Sequence, residues 1–185
     1  MDICKGNKES AVTIGVSACL LGHRVRYDGD HKLDRYITDT LGGIFRLLPL
    51  CPEVECGMTI PRDAMRLEGD LDNPRLITID SRIDRTEQML NFCRRRVRDL
   101  ESEDLCGFIF KMNSPSCGFH GVKIYTSGDI SAKSGSGLFA AAVARHFPLM
   151  PLEEEGEFND PRVRKNFIER VFAYSLTLIA NKKAR

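Results

Sequence analysis

Three short apolar segments constrain the fold of this 185-residue chain more than any other feature. The first, AVTIGVS at residues 11–17, is apolar or β-branched at nearly every position, as is typical of a strand buried on both faces. FRLLPL at residues 45–50 and CGFIF at residues 106–110 have the same character. Helical patterns separate these segments. Strands that alternate with helices predict an α/β fold, a mainly parallel β-sheet flanked by helices.

Four segments carry helical signals. Residues 32–45 predict a helix or helical turns, and residues 138–147, LFAAAVARHF, predict a second helix. Asp84, with a glutamate three residues later, has capping-box spacing and predicts a third. Its buried face would carry four apolar side chains: Met89, Cys93, Val97 and Leu100. Asp160 as N-cap and Pro161 at the first helical position begin the last helix.

The remaining segments predict loops and short strands. Residues 57–75 are rich in turn-forming residues and predict a loop, whereas RLITID (75–80) and KIYTS (123–127) predict two further strands. Gly135, Ser136 and Gly137 predict a tight turn, or a helix start whose free amides bind an anion.

Length and charge limit the class of protein. A chain of this length suits one well-buried core, so we predict a single domain over residues 1–185. The net charge of +1 gives no general attraction to nucleic acid or to a membrane surface, and no apolar stretch approaches the roughly 20 residues that cross a bilayer. The amino-terminal residues have no apolar run typical of a signal peptide, so we expect a cytoplasmic protein. The oligomeric state stays open.

The chain has seven cysteines, and three of them follow the three apolar segments. Cys19, Cys51 and Cys117 come where the predicted strands end, and the carboxyl ends of parallel strands lie at one edge of a sheet. We therefore expect these thiols to converge, although each taken alone is also typical of a small buried residue. A disulfide framework is not expected in the cytoplasm. Three thiolates without a histidine favour a soft metal centre, iron–sulfur, zinc or copper, with one open position.

Groups able to move protons accompany these cysteines. Glu53 lies two residues after Cys51 and could act as a general acid or base, or be a surface glutamate. Ser114 and Ser116 could bond to a substrate or simply form the turn. Four cations in or beside the cysteine-bearing loops could form a positive rim for a nucleotide phosphate, or be ordinary solvated charge: Arg24, Arg26, Arg62 and Lys111.

Four motifs in order, VSACLLGHRVRYDG, CPEVECGMTIPR, SPSCG and LEEEGEFNDPRVRKNFIERVF, together resemble the thiouracil desulfidase (TudS) family over about residues 13–180. The resemblance implies an α/β domain with a 4Fe-4S cluster held by Cys19, Cys51 and Cys117. The fourth iron would bind the sulfur of a thiolated pyrimidine base, nucleoside or nucleotide. Glu53 and one serine, Ser114 or Ser116, would move protons while water converts C=S to C=O, a hydrolysis without net electron transfer.

The chain departs from the family pattern after the CPEV motif. Cys56 replaces a glycine, and Met58, Thr59 and Ile60 precede the Pro-Arg pair. Cys56 could be a spare thiol or an alternative ligand to Cys51, and the loop is expected to border the substrate. A second hypothesis is a non-catalytic module in which Cys19, Cys51 and Cys117 bind a metal or a persulfide. A third is a plain α/β protein with scattered buried cysteines.

Overall fold

The structure, a computed structural model, describes residues 12–126 and 131–183. Within these residues it has eight strands and four α-helices. In chain order they are β1 Thr13–Ser17, β2 Arg46–Leu50, α1 Pro52–Glu55, β3 Met65–Gly69, β4 Pro74–Thr78, α2 Thr86–Glu101, β5 Leu105–Phe110, β6 Val122–Tyr125, β7 Ser131–Gly135, α3 Leu138–His146, β8 Leu152–Glu154 and α4 Pro161–Lys183. The predicted strand residues Ala11 and Ser127, and Cys4, lie outside the described residues.

The strands form two sheets. The first, sheet A, has the order β2-β1-β5-β8, and every neighbouring pair is parallel. The second, sheet B, has the order β4-β3-β6-β7, in which two antiparallel hairpins meet at the parallel β3-β6 pair. Because β1 and β5 are the two inner strands of sheet A, they must be apolar on both faces. The predicted α/β class with a parallel sheet flanked by helices is confirmed.

Two groups of buried side chains cover the two faces of sheet A. Phe108 and Phe110 of β5 pack with α2, α3 and sheet B on one face. Ile109 of β5 packs on the other face with Phe167 and Val171 of α4. The predicted buried face of α2 is also confirmed, since its four apolar side chains are all buried: Met89, Cys93, Val97 and Leu100.

The prediction of helical turns in residues 32–45 is confirmed, since they contain a π-helical turn, Tyr36–Thr40, and a 3₁₀ turn, Leu41–Gly43. Two other predictions need correction. Residues 57–75 are not all loop, because they contain β3, whose charged Arg66 and Glu68 obscure the strand pattern around buried Leu67. The helix α2 begins at Thr86 rather than at Asp84, whose carboxylate accepts the Thr86 N–H at 2.9 Å.

Three strands of sheet A end at the same edge of the sheet. There β1 runs into a 3₁₀ turn, Ala18–Leu21, β2 runs into α1, and β5 runs into the loop of residues 111–121.

None of the helices in the described residues is long and apolar enough to cross a membrane.

Candidate active site

A cavity of about 410 Å³ lies at the carboxyl edge of sheet A. Its wall includes Cys19, Cys51, Cys117, Glu53 and Ser114, which come from three different strand exits. The structure therefore brings together the three cysteines that the strand-end argument selected. Their role as metal ligands stays a prediction.

Each of the three cysteines is held through hydrogen bonds of its own backbone groups. Cys19 lies in the 3₁₀ turn after β1, where its carbonyl oxygen accepts the N–H groups of Gly22 and Lys32 at 3.3 and 2.8 Å. Cys51 directly follows β2, and its N–H donates to Glu55 Oε1 at 2.9 Å. Cys117 donates its N–H to Ser114 Oγ at 3.1 Å. All three thiols are free of disulfide bonds.

The three thiols influence one another electrostatically. Burial raises the pKa of the Cys19 thiol to about 11, and nearby Cys51 adds to the shift. Burial also raises the pKa of Cys51, and it raises the pKa of Cys117 well above its ordinary value, although a hydrogen bond with Ser17 opposes that shift. The free thiols therefore keep their protons at neutral pH, and a bound metal has to displace them.

The arrangement does not match a site for one metal ion. In the described part of the chain, no three His, Cys, Asp or Glu side chains are grouped closely enough to hold such an ion. With metal–sulfur bonds of about 2.3 Å, three thiolates on one zinc ion lie within about 4 Å of one another.

Glu53 is held on both of its carboxylate oxygens. Arg62 Nε donates to Glu53 Oε2 at 2.8 Å, and Arg62 Nη2 forms an ion pair with the same oxygen at 2.6 Å. Ser116 Oγ donates to Glu53 Oε1 at 2.8 Å. The Glu53 side chain is 13% exposed and lines the cavity.

The two serines of the SPSC motif have different surroundings. Ser116 is fully buried, is not part of the cavity wall and bonds to Glu53. Ser114 lines the cavity, and its oxygen accepts the N–H groups of Ser116 and Cys117 at 3.3 and 3.1 Å. Because its oxygen accepts both bonds, the Ser114 hydroxyl can still donate its proton.

The first turn of α3 holds the SPSC loop. The N–H groups of Leu138 and Phe139 donate to the carbonyl oxygens of Pro115 and Ser116 at 3.1 and 3.0 Å, and Gly137 donates to Gly118 at 2.6 Å. These amides bond within the protein and are not free for an anion. The predicted tight turn is wrong as well, because Gly135 ends β7 and residues 136 and 137 lead into α3 without a turn.

Two glutamates at the end of β8 fasten the same loop at its two ends. Glu154 is buried and accepts the N–H groups of Phe119 and His120 at 2.6 and 3.3 Å. Glu155 accepts the Met112 N–H at 2.6 Å and pairs with the Lys111 ammonium. Sequence reasoning missed both contacts, because three consecutive glutamates are typical of a solvated segment. The mostly apolar stretch that precedes them, PLMPL at residues 148–152, was the signal that could have located them.

The expected rim of positive charge is mostly neutralised. Arg26, Arg62 and Lys111 line the cavity, but each pairs with a carboxylate. Arg24 is exposed and does not line it. Lys32, which sequence reasoning did not single out, is part of the wall.

Cys56 and the departing loop lie away from the cavity wall. The Cys56 thiol donates to the Glu53 carbonyl oxygen at 3.2 Å and packs against the buried side chains around α2. Met58, Thr59 and Ile60 do not line this cavity either. The replaced residues thus do not line this cavity, whereas Arg62 and Ala64 after them do, so the expectation that the loop borders the substrate stays a prediction.

The fold and the site together define the class of this protein. It is an α/β protein with three free thiols and a carboxylate at the carboxyl edge of its parallel sheet. The chain belongs to the 2-thiouracil desulfurase family, whose model matches residues 14–155. The resemblance found in the motifs is therefore confirmed.

A solved structure of a 4Fe-4S-dependent thiouracil desulfidase, TudS, is similar to this chain, with 30% sequence identity and a TM-score of 0.66. The match covers 84% of this chain and 98% of that one. A search of the curated proteins gave no match.

Proposed function

We propose that the protein is a 4Fe-4S-dependent desulfidase that replaces the sulfur of a thiolated pyrimidine, such as thiouracil or thiouridine, by oxygen. One observation carries the proposal. In a chain of the 2-thiouracil desulfurase family, three free thiols, Glu53 and Ser114 line one cavity. Its volume of about 410 Å³ lies in the range of small-molecule sites.

Cys19, Cys51 and Cys117 would hold the cluster. Thiolates are the protein ligands of such clusters, and each thiolate binds a different iron. The ligands of a cluster are therefore spaced more widely than those of a single ion. The three free thiols that line the cavity supply the donor type that such a cluster needs.

When bound, the cluster would supply a Lewis-acidic iron with an open position for the thiocarbonyl sulfur. Glu53, aligned by Arg62 and Ser116, would accept a proton from the water whose oxygen bonds to the carbon. The Ser114 hydroxyl would donate a hydrogen bond to the substrate. The C–S bond breaks as the C–O bond forms, and sulfur leaves as sulfide, so the exchange is a hydrolysis that needs no electrons.

The experiment combines metal analysis with a sulfide assay on protein purified without oxygen. We expect roughly four iron and four sulfide per chain, and sulfide release from 2-thiouracil or 4-thiouracil. Replacing Cys19, Cys51 and Cys117 by Ser should abolish iron binding. Cys56→Ser is the matched control, because that thiol lies outside the cavity wall. A colourless protein after anaerobic reconstitution would contradict the proposal.

A second variant separates the enzyme from a metal or persulfide store. Glu53→Gln keeps the shape of the side chain, so we expect the iron content to be unchanged and sulfide release to fall at least tenfold, on the order of general-base contributions. A storage module has no use for the carboxylate. Unchanged sulfide release in this variant would exclude the proposed mechanism.

A further inference from the structure

The Arg62 guanidinium is one of the most enclosed charges at the cavity. Its side chain is 8% exposed, its Nε donates to Glu53 Oε2, and its Nη2 lies 2.6 Å from the same oxygen. A guanidinium presents its N–H groups in a fixed planar fork, so this pair fixes a direction as well as a distance.

The other N–H groups of Arg62 anchor the guanidinium itself. Nη2 donates to the Val25 carbonyl oxygen at 2.9 Å, and Nη1 donates to that of Thr59 at 3.2 Å. The backbone N–H of Arg62 donates to the Tyr27 carbonyl oxygen at 2.9 Å. The loop after β1 and the loop that carries Arg62 therefore hold its guanidinium in place, independently of its contact with Glu53. The same Val25 oxygen lies 3.8 Å from the Cys51 sulfur.

We infer that Arg62 is a positioning residue, which sets the orientation of the Glu53 carboxylate in the cavity; the inference rests on the proposed function. Arg62 fixes Oε2, and Ser116 fixes Oε1 from a buried position. A general base must lie within hydrogen-bond reach of its proton, and a displacement of about 1 Å can cost about 100-fold in rate. The rotation of Glu53 about its side-chain bonds is limited by Arg62.

Arg75 provides a matched comparison within the chain. Its Nε and Nη2 donate to one oxygen of Asp84 at 3.0 and 2.6 Å. Neither residue lines the cavity. Arg75→Lys removes a similar fork away from the site, so we expect it to leave kcat unchanged.

The test is a double-mutant cycle with iron-loaded protein, with kcat normalised to iron content. We expect Arg62→Lys to lower kcat about 10- to 100-fold, with KM changed less than twofold, because lysine keeps the charge but not the fork. In the Glu53→Gln background the same replacement should lower kcat no further. If the two losses in kcat multiply in the double variant, Arg62 acts independently of Glu53 and the inference is wrong. An unchanged kcat in Arg62→Lys would also overturn it.

If Arg62→Lys does not retain iron, a double variant with two uncharged side chains provides the test. Glu53→Gln with Arg62→Gln leaves no unpaired buried charge, and we expect the iron content and residual kcat of Glu53→Gln alone. A further loss of kcat would overturn the inference. If the iron-loaded wild-type protein releases no sulfide, the proposed function itself fails, whereas an active wild type with an active Arg62→Lys variant removes only the role of Arg62.

Discussion

At the residue scale, Gly137 determines how closely α3 approaches the SPSC loop. A Cβ on Gly137 would lie 2.5 Å from the carbonyl carbon of Ser116 and 2.8 Å from the N of Cys117. Both are backbone atoms, which cannot rotate away as a side chain can. The absence of a side chain here allows α3 to bind the loop that carries Cys117 and both serines.

Gly137→Ala should push this loop away from α3. We expect the free energy of unfolding to fall by about 1–3 kcal/mol, the usual cost of overpacking, and the iron content to fall because Cys117 is displaced. Urea unfolding and iron analysis measure the two effects. Gly43→Ala is the control, since a Cβ there meets nothing within 4 Å. Equal losses in both variants would contradict the argument.

At the scale of elements, β8 carries the residues that connect the far edge of sheet A to the site. It is three residues long, lies beside β5 at the end of the order of sheet A and ends in Glu154. The carboxylate of Glu154 is 5% exposed and bonds two backbone N–H groups of the site loop. A short edge strand thereby orders a loop that comes more than thirty residues earlier.

Glu154→Ala should leave those two N–H groups without an acceptor. We expect a loss of about 1–3 kcal/mol in the free energy of unfolding, the cost of a buried unpaired polar group, and weaker iron retention against a chelator. Exposed Glu157→Ala serves as the control. Iron retention equal to that of the wild type would show that β8 does not order the loop.

Sheet B contains a charge arrangement with a defined pH dependence. Glu68 Oε1 accepts bonds from Arg82 and Arg66, each at 2.6 Å. Hydrogen bonding with Arg82, followed by that with Arg66, lowers the pKa of Glu68 from 4.5 to about 2. A carboxylate with a lowered folded-state pKa adds stability above its unfolded pKa, and this stability is lost as the pH falls through the folded value.

Thermal unfolding of the wild type and of Glu68→Gln from about pH 7 to about pH 3 tests whether the stability contributed by Glu68 falls with pH. We expect the wild type to be more stable at neutral pH and the difference to shrink as the pH falls below 4.5 towards 2. Glu157→Gln, at an exposed position, should show no such convergence. A constant difference between wild type and Glu68→Gln would rule out the charged pair as its cause.

At the scale of the whole molecule, the two buried groups share sheet A. Neighbouring residues of β5, Phe108 and Ile109, belong to different groups, and Tyr174 of α4 packs against both. Loss of packing on one face therefore removes support from the other. Such coupling is expected of a single cooperative unit, and the single domain stays a prediction.

Unfolding should consequently occur in one transition. Far-ultraviolet circular dichroism and tyrosine fluorescence, which no tryptophan obscures, should give the same midpoint. Phe139→Leu and Phe167→Leu, on opposite faces of sheet A, should both shift that one transition. Two separate midpoints, or a shift in only one probe, would indicate two independent units.

The sequence by itself determined the α/β class, the parallel sheet and the edge at which Cys19, Cys51 and Cys117 meet. Buried strands must be apolar and strand ends share an edge, so local patterns were sufficient. The tertiary structure decided the partners of the charged and hydroxyl groups. Ser116 donates to Glu53 across 63 residues of sequence, and Cys56 faces the core rather than the cavity. Such pairings depend on how distant elements pack together. The local sequence around a charged or polar residue is equally compatible with exposure to solvent, so it does not reveal the partner.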